Sequence, residues 1–207
     1  MSKLLRANFL RLRKDKYFWI GMIAMILYGV IDSVGQYRNL KVYDMSVTFD
    51  TVFFASHIII GMLIAAFVSL YVGTEYSDGT IRNKLMVGCN RRDIYLSNFI
   101  TCAAAGAFMN FAYMFTACIT GIPLFGFFEM EWQKAVVYVL DGLLMVIALT
   151  AIFSMLSMLN QNKALVAIIS MVGIFALLFL SLYITMKLGE PEFFDGVTMS
   201  KTVGDTV

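Results

Sequence analysis

Residues able to do chemistry are few in this sequence. Histidine occurs once, at His57, and no cysteine or carboxylate stands three or four positions from it, so it lacks local metal-binding partners. The cysteines Cys89, Cys102 and Cys118 do not have the spacing of a zinc or redox motif. The chain also lacks the P-loop pattern and the HExxH and GxSxG motifs. We therefore expect no catalytic centre, no ATPase site, no metal and no cofactor in this chain.

Two polar residues stand inside long apolar segments, Asn110 and Asp141. Such residues mark ion or substrate pathways in membrane proteins, which makes both candidates for a translocation path. Asp141 could instead be an interfacial carboxylate in contact with water. A carrier driven by protons or sodium usually has more polar groups at the membrane midplane, so the sequence indicates that energy comes from elsewhere.

The stretch from Gly73 to Gly88, GTEYSDGTIRNKLMVG, is rich in polar and turn-forming residues. Ser77 or Asp78 could cap the start of a helix, because a short side-chain oxygen accepts a hydrogen bond from a free amide of the first turn. Gly88 could adopt the left-handed conformation that ends a helix. The pattern predicts a short helix between these positions.

This short helix is expected to have two different faces. Ile81 and Leu85 are four residues apart and form a small apolar face, whereas Arg82 and Lys84 are expected to project polar contacts. A helix held between two membrane spans can pass a push from a soluble partner to those spans. The alternative is a solvated helix that only connects them.

The composition indicates a membrane protein. Hydrophobic residues make up 60% of the 207 positions and charged residues 14%, whereas soluble domains are about half apolar and a quarter charged. Crossing the hydrocarbon core as a helix takes roughly 20 apolar residues. Five segments meet or approach this length, at about 17–31, 52–73, 97–121, 135–158 and 164–186. They lack the alternation of a β-barrel, so we predict an all-α polytopic bundle over residues 17–186.

Basic residues are concentrated in one set of connections. On one side lie Lys3, Arg6, Arg11, Arg13, Lys14, Lys16, Arg82, Lys84, Arg91, Arg92 and Lys163. The other side has Arg38, Lys41, Lys134, Lys187, Lys201 and most of the acidic residues. Because short loops rich in lysine and arginine stay in the cytoplasm, we predict a cytoplasmic N-terminus and an extracytoplasmic tail over residues 187–207.

Residues 1–16 are predicted to form a separate element before the first span. Leu5, Phe9 and Leu12 follow a helical spacing, and Lys3 and Arg6 lie largely off that stripe. This pattern is typical of a basic amphipathic helix on the inner membrane surface, in contact with lipid headgroups. It would orient the first span or act only as a topology signal.

The stretch EYSDGTIRNKL from Glu75 to Leu85, followed by Gly88 and by Arg91 and Arg92, resembles a segment of the type-2 family of ABC transporter permeases. In that family the region after the second span holds the coupling helix, which docks into a cleft of the ATPase subunit. The order of a basic amphipathic helix, a first span, an outer loop, a second span and this motif is also similar.

The resemblance implies that the loop 74–93 couples the chain to an ATPase. The implied coupling residues are Glu75, Asp78, Gly79, Thr80, Ile81, Arg82, Lys84, Leu85 and Gly88. The expected partners are cytoplasmic ABC ATPase subunits, which carry the ATP and Mg²⁺, a second copy or a homologous permease, and membrane lipid, but no nucleic acid. The chain is similar to small bacterial cell-membrane permeases, including those for export of antimicrobial peptides or self-protection, so export is the expected direction.

One departure from the family pattern concerns the number of spans. The family has six, whereas five are predicted here, so a sixth span is expected beyond residue 207, unless this member is unusual. The main alternative function is a membrane scaffold or sensor without transport activity, which would bind a cytoplasmic protein through the loop 74–93. A carrier or channel that supplies its own energy is a further alternative, disfavoured by the scarcity of charge within the spans.

Overall fold

The computed structural model describes residues 1–43, 47–160 and 162–189 of the chain. Those residues contain helices and no strand, which confirms the all-α prediction. The helices are α1 (Ser2–Lys14), α2 (Lys16–Tyr43), α3 (Phe49–Phe54), α4 (Ser56–Ser77), α5 (Thr80–Met86), α6 (Arg91–Phe125), α7 (Trp132–Leu159) and α8 (Lys163–Gly189). Of the predicted tail 187–207, residues 190–207 lie outside the described part.

Five candidate spans in the described residues are long and apolar enough to cross a membrane, which confirms the predicted polytopic bundle. They are α2, the pair α3 and α4, α6, α7 and α8. All five extend beyond the predicted segments at one end or both. The first continues past residue 31 to Tyr43, and the third continues through Pro123 to Phe125. A helix satisfies its own backbone hydrogen bonds, so polar side chains such as Gln36 do not end it.

Helix α6 is central to the packing of residues 1–170, because it contacts α1, α2, α3, α4 and α7. Small residues allow these close contacts. A Cβ atom built at Gly106 would lie 2.9 Å from Val146 and 3.3 Å from Ile64. Without a side chain at this position, the backbones of α4, α6 and α7 come close together, as small residues allow in membrane helices.

A sharp connection joins α1 to α2. Asp15 is extended, with φ −76° and ψ 125°, and its carboxylate accepts hydrogen bonds from the backbone amides of Tyr17 (2.7 Å) and Phe18 (3.4 Å). The side chain of Trp19 donates to the Arg13 carbonyl across the same connection, at 2.9 Å. A carboxylate cap therefore begins α2 immediately where α1 ends.

Aromatic rings pack together at the end of the spans that includes α3. The ring of Phe128 lies 4.7 Å from that of Phe49 and 5.1 Å from that of Phe53, both edge to face. Phe49 also fills the space beside Gly121, where a Cβ atom would lie 2.7 Å from its ring. Nearby, the hydroxyl of Tyr113 donates to the carbonyl of Val52 at 2.7 Å. We call the cluster Phe49, Phe53, Phe128 and Gly121 the aromatic end.

The chain divides into two units, Met1–Ser170 and a second that begins at Met171. The first contains α1 to α7 and the start of α8. In the second, the described residues continue α8 as an apolar helix with mostly exposed large side chains, among them Phe179, Leu180 and Tyr183. Exposed apolar side chains on a span are consistent with lipid as solvent.

Candidate functional site

The predicted loop helix is present as α5, but its start differs from the prediction. Asp78 closes the C-terminus of α4, since its amide donates to the Thr74 carbonyl at 2.9 Å, and neither Ser77 nor Asp78 caps α5. Gly79 takes the capping position with φ 68°, a left-handed conformation that glycine adopts at no steric cost. The prediction of an Asp78 or Ser77 cap is therefore wrong.

The end of α5 follows the prediction. Gly88 has φ 88°, and its amide donates to the Leu85 carbonyl at 3.0 Å. The amide of Cys89 donates to the Lys84 carbonyl at 3.1 Å, so the last carbonyl groups of the helix are satisfied. Left-handed glycines therefore flank α5 on both sides, and a residue with a Cβ atom would be strained at either position.

Two side chains of the first turn hold α5 in place. The hydroxyl of Thr80 donates to the backbone carbonyl of Glu75 at 3.0 Å, which attaches α5 to the end of α4. The side chain of Ile81 is buried at 8% exposure. The first turn of the loop helix is therefore anchored by one hydrogen bond to the preceding span and by one buried apolar side chain.

Glu75 lies beneath α5 and is 1% exposed. Its Oε1 accepts from Arg11 at 2.5 Å and from Lys84 Nζ at 2.6 Å. Its Oε2 accepts from the side-chain amide of Asn98 at 2.7 Å. Both carboxylate oxygens are therefore satisfied, by residues of α1, α5 and α6, although Glu75 itself belongs to α4.

Arg11 makes further contacts to the end of α4. Its second guanidinium nitrogen donates to the carbonyl of Tyr71 at 2.7 Å and to the hydroxyl of Thr74 at 2.6 Å. The guanidinium carbon lies 4.3 Å from the centre of the Tyr71 ring, a cation–π contact. Because a guanidinium presents several donors in a rigid fork, one side chain can hold Glu75 and the helix end together.

Asn8 completes the network on α1 and is buried. Its amide nitrogen donates to Asn98 Oδ1 at 2.5 Å and to the Ser97 hydroxyl at 3.2 Å. Its Oδ1 accepts from Lys84 Nζ at 3.3 Å, and its backbone carbonyl accepts from the Tyr71 hydroxyl at 3.0 Å. We call Asn8, Arg11, Glu75, Lys84 and Asn98 the Glu75 cluster. It joins four helices at one end of the spans.

The electrostatics of the Glu75 cluster make its parts interdependent. Two cations face one carboxylate, and the side chains of Arg11 and Lys84 are 30% and 19% exposed. Removing the shared partner of a buried ion pair costs about 3–5 kcal/mol, because the remaining charges are left without compensation, whereas removing one cation leaves Glu75 paired with the other. The Glu75 carboxylate is therefore the group on which the contacts among α1, α4, α5 and α6 depend most.

The structure separates the predicted coupling residues into two groups. Glu75, Thr80, Ile81 and Lys84 point inward and hold α5. The others, Asp78, Gly79, Arg82, Leu85 and Gly88, are exposed or partly exposed. Lys84 was expected to project outward with Arg82, and this placement is wrong because Glu75 draws its ammonium group inward. Glu75 is itself covered, so any effect it has on a partner acts through the position of α5.

The outer surface of α5 is more apolar than predicted. Leu85, Met86 and Val87 are all exposed, and Val87 reaches 84%. Arg82 lies beside them and is also exposed. Exposed apolar side chains next to a cation at the tip of a rigid helix are typical of a surface that contacts another protein.

The contribution of α1 is not predicted by the sequence pattern. The charge of Arg11 enters only the predicted topology, and no prediction concerns Asn8. A signal was present, because Leu5, Asn8 and Leu12 follow a helical spacing, with Arg11 between them. Asn8 and Leu12 are buried, whereas Phe9, which was assigned to the apolar stripe, is exposed. The inward face of α1 is therefore partly polar.

The two candidate translocation residues lie away from the Glu75 cluster. Asn110 is twelve residues beyond Asn98 on α6, or about 18 Å along the helix. It is 1% exposed, and neither amide atom has a hydrogen-bond partner within the described residues. Asp141 on α7 is exposed on the surface of this single chain. The two residues therefore do not form one site with α5.

Comparison with known proteins gives one match. A family profile described as ABC-2 family transporter protein matches residues 4–177, which include most of α1, all of α2 to α7 and the first half of α8. The matched region contains the whole Glu75 cluster and all of α5. No curated protein and no solved structure matches the chain.

Proposed function

Because the chain belongs to the ABC-2 family of transporter proteins, we propose that it is the permease subunit of an ATP-driven transporter whose ATPase is a separate cytoplasmic protein. The proposal is supported by one observation: the end of α5 is exposed to solvent, and the same helix is held to the spans by buried ionic contacts. Leu85, Met86 and Val87 offer apolar surface to a partner, and the Glu75 cluster ties their helix to the spans.

Coupling then follows from the mechanics of this arrangement. ATP and Mg²⁺ bind the partner ATPase, and closure of the ATPase subunits moves the surface that holds α5. Since Thr80 and Lys84 fix α5 to α4, and Arg11 and Asn98 add α1 and α6, the displacement reaches two spans, α4 and α6, and the N-terminal helix α1 together. Binding of ATP changes access across the bilayer only to the extent that the ATPase binds the two states with different affinity.

The orientation follows from the same proposal. An ATPase in the cytoplasm requires α5, α1 and the N-terminus on that side of the cell membrane, in agreement with the distribution of lysine and arginine. The exposed cations of α1, among them Lys3, Arg6, Arg13 and Lys14, then face anionic headgroups. We propose export as the direction.

The translocation path belongs to the assembled transporter. A second copy, or a homologous permease, would cover part of the exposed surface of the spans. Asp141 lies on such a surface, within an apolar neighbourhood that includes exposed Leu140 and Leu144. An ionisable group within a span is unfavourable against lipid, so we assign Asp141 to a water-filled path or to the facing permease. Asn110, which lacks a partner in the single chain, is the second path candidate.

The second candidate function is a membrane scaffold or sensor that binds a different cytoplasmic protein through the loop 74–93. The exposed apolar tip of α5 supports this function as well. The two functions differ in the partner they require, since only the transporter needs a P-loop ATPase.

The experiment is purification of the tagged full-length gene product from its native host in mild detergent, with identification of bound proteins by mass spectrometry. We expect a P-loop ATPase with the wild type. Val87→Asp should reduce its recovery about tenfold, because it places a charge in the centre of the contact. Val42→Asp is the matched control, since Val42 is 64% exposed at the opposite end of α2.

Two results would contradict the proposal. If well-folded wild-type protein retains no ATPase, the transporter assignment fails and the scaffold function takes its place. If an ATPase is retained equally by wild type, Val87→Asp and Val42→Asp, the ATPase does not dock on the tip of α5.

A further inference from the structure

A groove runs beside α5 where the ends of α4, α6 and α7 meet it. Its central cavity measures about 460 Å³ and is lined by residues that include Tyr76, Ile81, Leu85, Tyr95 and Met158. A second cavity of about 320 Å³ shares three of those residues and extends along α5 to Arg82. A third of about 430 Å³ shares Tyr95 and extends along α6 to Arg92. The shared lining residues place the three cavities next to one another along α5 and the start of α6, and we treat them together as the groove.

The walls of the groove are tied together. The hydroxyl of Tyr76 donates to the backbone carbonyl of Met158 at 2.8 Å, which joins the end of α4 to the end of α7. Ile81 and Ile94 form a buried apolar floor, and exposed Leu159 extends the apolar surface on the α7 side. The cavity is therefore part of the packed structure at this end of the spans.

Three arginines border the groove: Arg82 at one end, Arg91 in the central cavity and Arg92 at the other end. All three are exposed, and none makes a hydrogen bond or ion pair in the part of the chain that the structure describes. The nearby acids do not compensate them, because Glu75 is bound within its own cluster and neither Asp78 nor Asp93 lines the groove. The groove thus combines an apolar floor with uncompensated positive charge.

We propose that this groove, which we call the arginine groove, receives an acidic segment of the partner ATPase, with one bulky apolar side chain in the central cavity and carboxylates on Arg82, Arg91 and Arg92. The inference rests on the proposed function and names the chemistry that the ATPase must present. In this proposal the permease contacts the ATPase in two ways: the exposed end of α5 projects towards the ATPase, and the arginine groove receives a segment from it.

Charge and shape favour an acidic protein segment. An apolar centre with a charged rim is the usual anatomy of a protein interface, and arginine binds carboxylates through two parallel hydrogen bonds. The cavity is of the size that encloses a bulky group. Met86 at the end of α5 and Val87 immediately after it are also exposed, on a segment separate from the five spans, where a soluble partner reaches them.

The first test is site-specific photo-crosslinking in the transporter complex. A photoreactive phenylalanine analogue replaces Leu85 or Leu159, on the α5 and α7 sides of the cavity. We expect both positions to capture the ATPase, and the captured peptide to contain an apolar residue next to aspartate or glutamate. The same analogue at Val42, at the far end of α2, should not capture it. Capture of lipid or of a second permease copy from Leu85 and Leu159 overturns the inference.

The second test removes the charge of the rim. The triple variant Arg82→Gln, Arg91→Gln, Arg92→Gln should bind the ATPase about tenfold more weakly at physiological salt and lose most of its salt dependence. The matched control is Lys3→Gln, Arg6→Gln, Arg13→Gln, which removes the same charge from the exposed face of α1. Protease accessibility of the termini verifies that both variants keep the wild-type topology.

The outcomes separate this inference from the proposed function. An ATPase that binds the wild type and both triple variants equally well leaves the permease assignment intact and refutes the arginine groove. A wild type that binds no ATPase refutes the proposed function and the groove together. Weaker binding by the control variant alone would transfer the docking role to α1 and also refute the groove.

Discussion

The Glu75 cluster and the aromatic end hold the two ends of the spans by different physics. At the first, a carboxylate with 1% exposure binds two cations and an amide from three other helices. At the second, Phe49, Phe53 and Phe128 pack edge to face around Gly121. Ionic hydrogen bonds specify which atoms meet, whereas apolar packing tolerates change if the volume is conserved. The difference indicates that the Glu75 cluster requires particular partner atoms, whereas the ring cluster around Gly121 requires a filled volume.

The largest expected effect is loss of the central charge. Glu75→Gln keeps the shape but leaves Arg11 and Lys84 facing a neutral amide. We expect the free energy of unfolding to fall by about 3 kcal/mol. This is the lower end of the range for a broken buried ion pair, because both cations are partly exposed. Reversible unfolding in detergent micelles measures it. Glu131→Gln is the control, because the Glu131–Lys134 pair is exposed. Equal losses of unfolding free energy in Glu75→Gln and Glu131→Gln would show that the Glu75 cluster has no special structural role.

The next effect tests the aromatic end by overpacking. Gly121→Val places side-chain atoms against the Phe49 ring. A Cβ atom alone would already lie only 2.7 Å from that ring, and the methyl groups of valine add further overlap. We expect a loss of about 2 kcal/mol in the same unfolding measurement. Gly35→Val is the control, since no atom lies within 4 Å of a Cβ built there. A double variant with Phe49→Leu should recover part of the loss. If the double variant recovers no stability, the loss in Gly121→Val does not come from its contact with Phe49.

A third comparison separates an inward cation from an outward one on the same helix. Lys84→Gln should destabilise the protein by about 1.5 kcal/mol, because a charged hydrogen bond to Glu75 is lost. Arg82→Gln should cost less than about 0.5 kcal/mol, because Arg82 is exposed and has no partner within the described residues. A binding measurement should show that Arg82→Gln directly lowers the affinity for the ATPase. The reverse order of the two stabilities would mean that Lys84 does not lie inward.

The smallest expected effect concerns the connection between α1 and α2. Asp15→Ala removes the carboxylate that caps α2 at the amides of Tyr17 and Phe18. We expect a loss of about 1 kcal/mol. Asp15→Asn should retain most of the stability, since asparagine caps as well as aspartate does. If Asp15→Asn is as destabilised as Asp15→Ala, the negative charge matters more than the cap.

Much of the fold follows from local patterns. Apolar segments long enough to cross a bilayer predicted five spans, because each span satisfies its own backbone and needs a continuous apolar surface. Gly88 predicted the end of α5 for a similarly local reason. Span ends were less accurate, as shown by α2, which continues to Tyr43. Helix continuation depends on internal backbone bonds, and polar side chains near the membrane surface do not interrupt them.

Composition and local spacing were enough to predict the all-α membrane architecture, the concentration of basic residues on alternate connections and the loop segment that resembles an ABC-2 coupling region. The roles of the individual charges depend instead on how the helices pack. Arg11 and Asn98 both donate to the carboxylate of Glu75, although they stand 64 and 23 positions away from it in the sequence. Helix packing chooses such partners, and no local spacing encodes them. For that reason Lys84 was expected at the surface and lies inward, whereas Arg82, two residues before it, remains free for a partner.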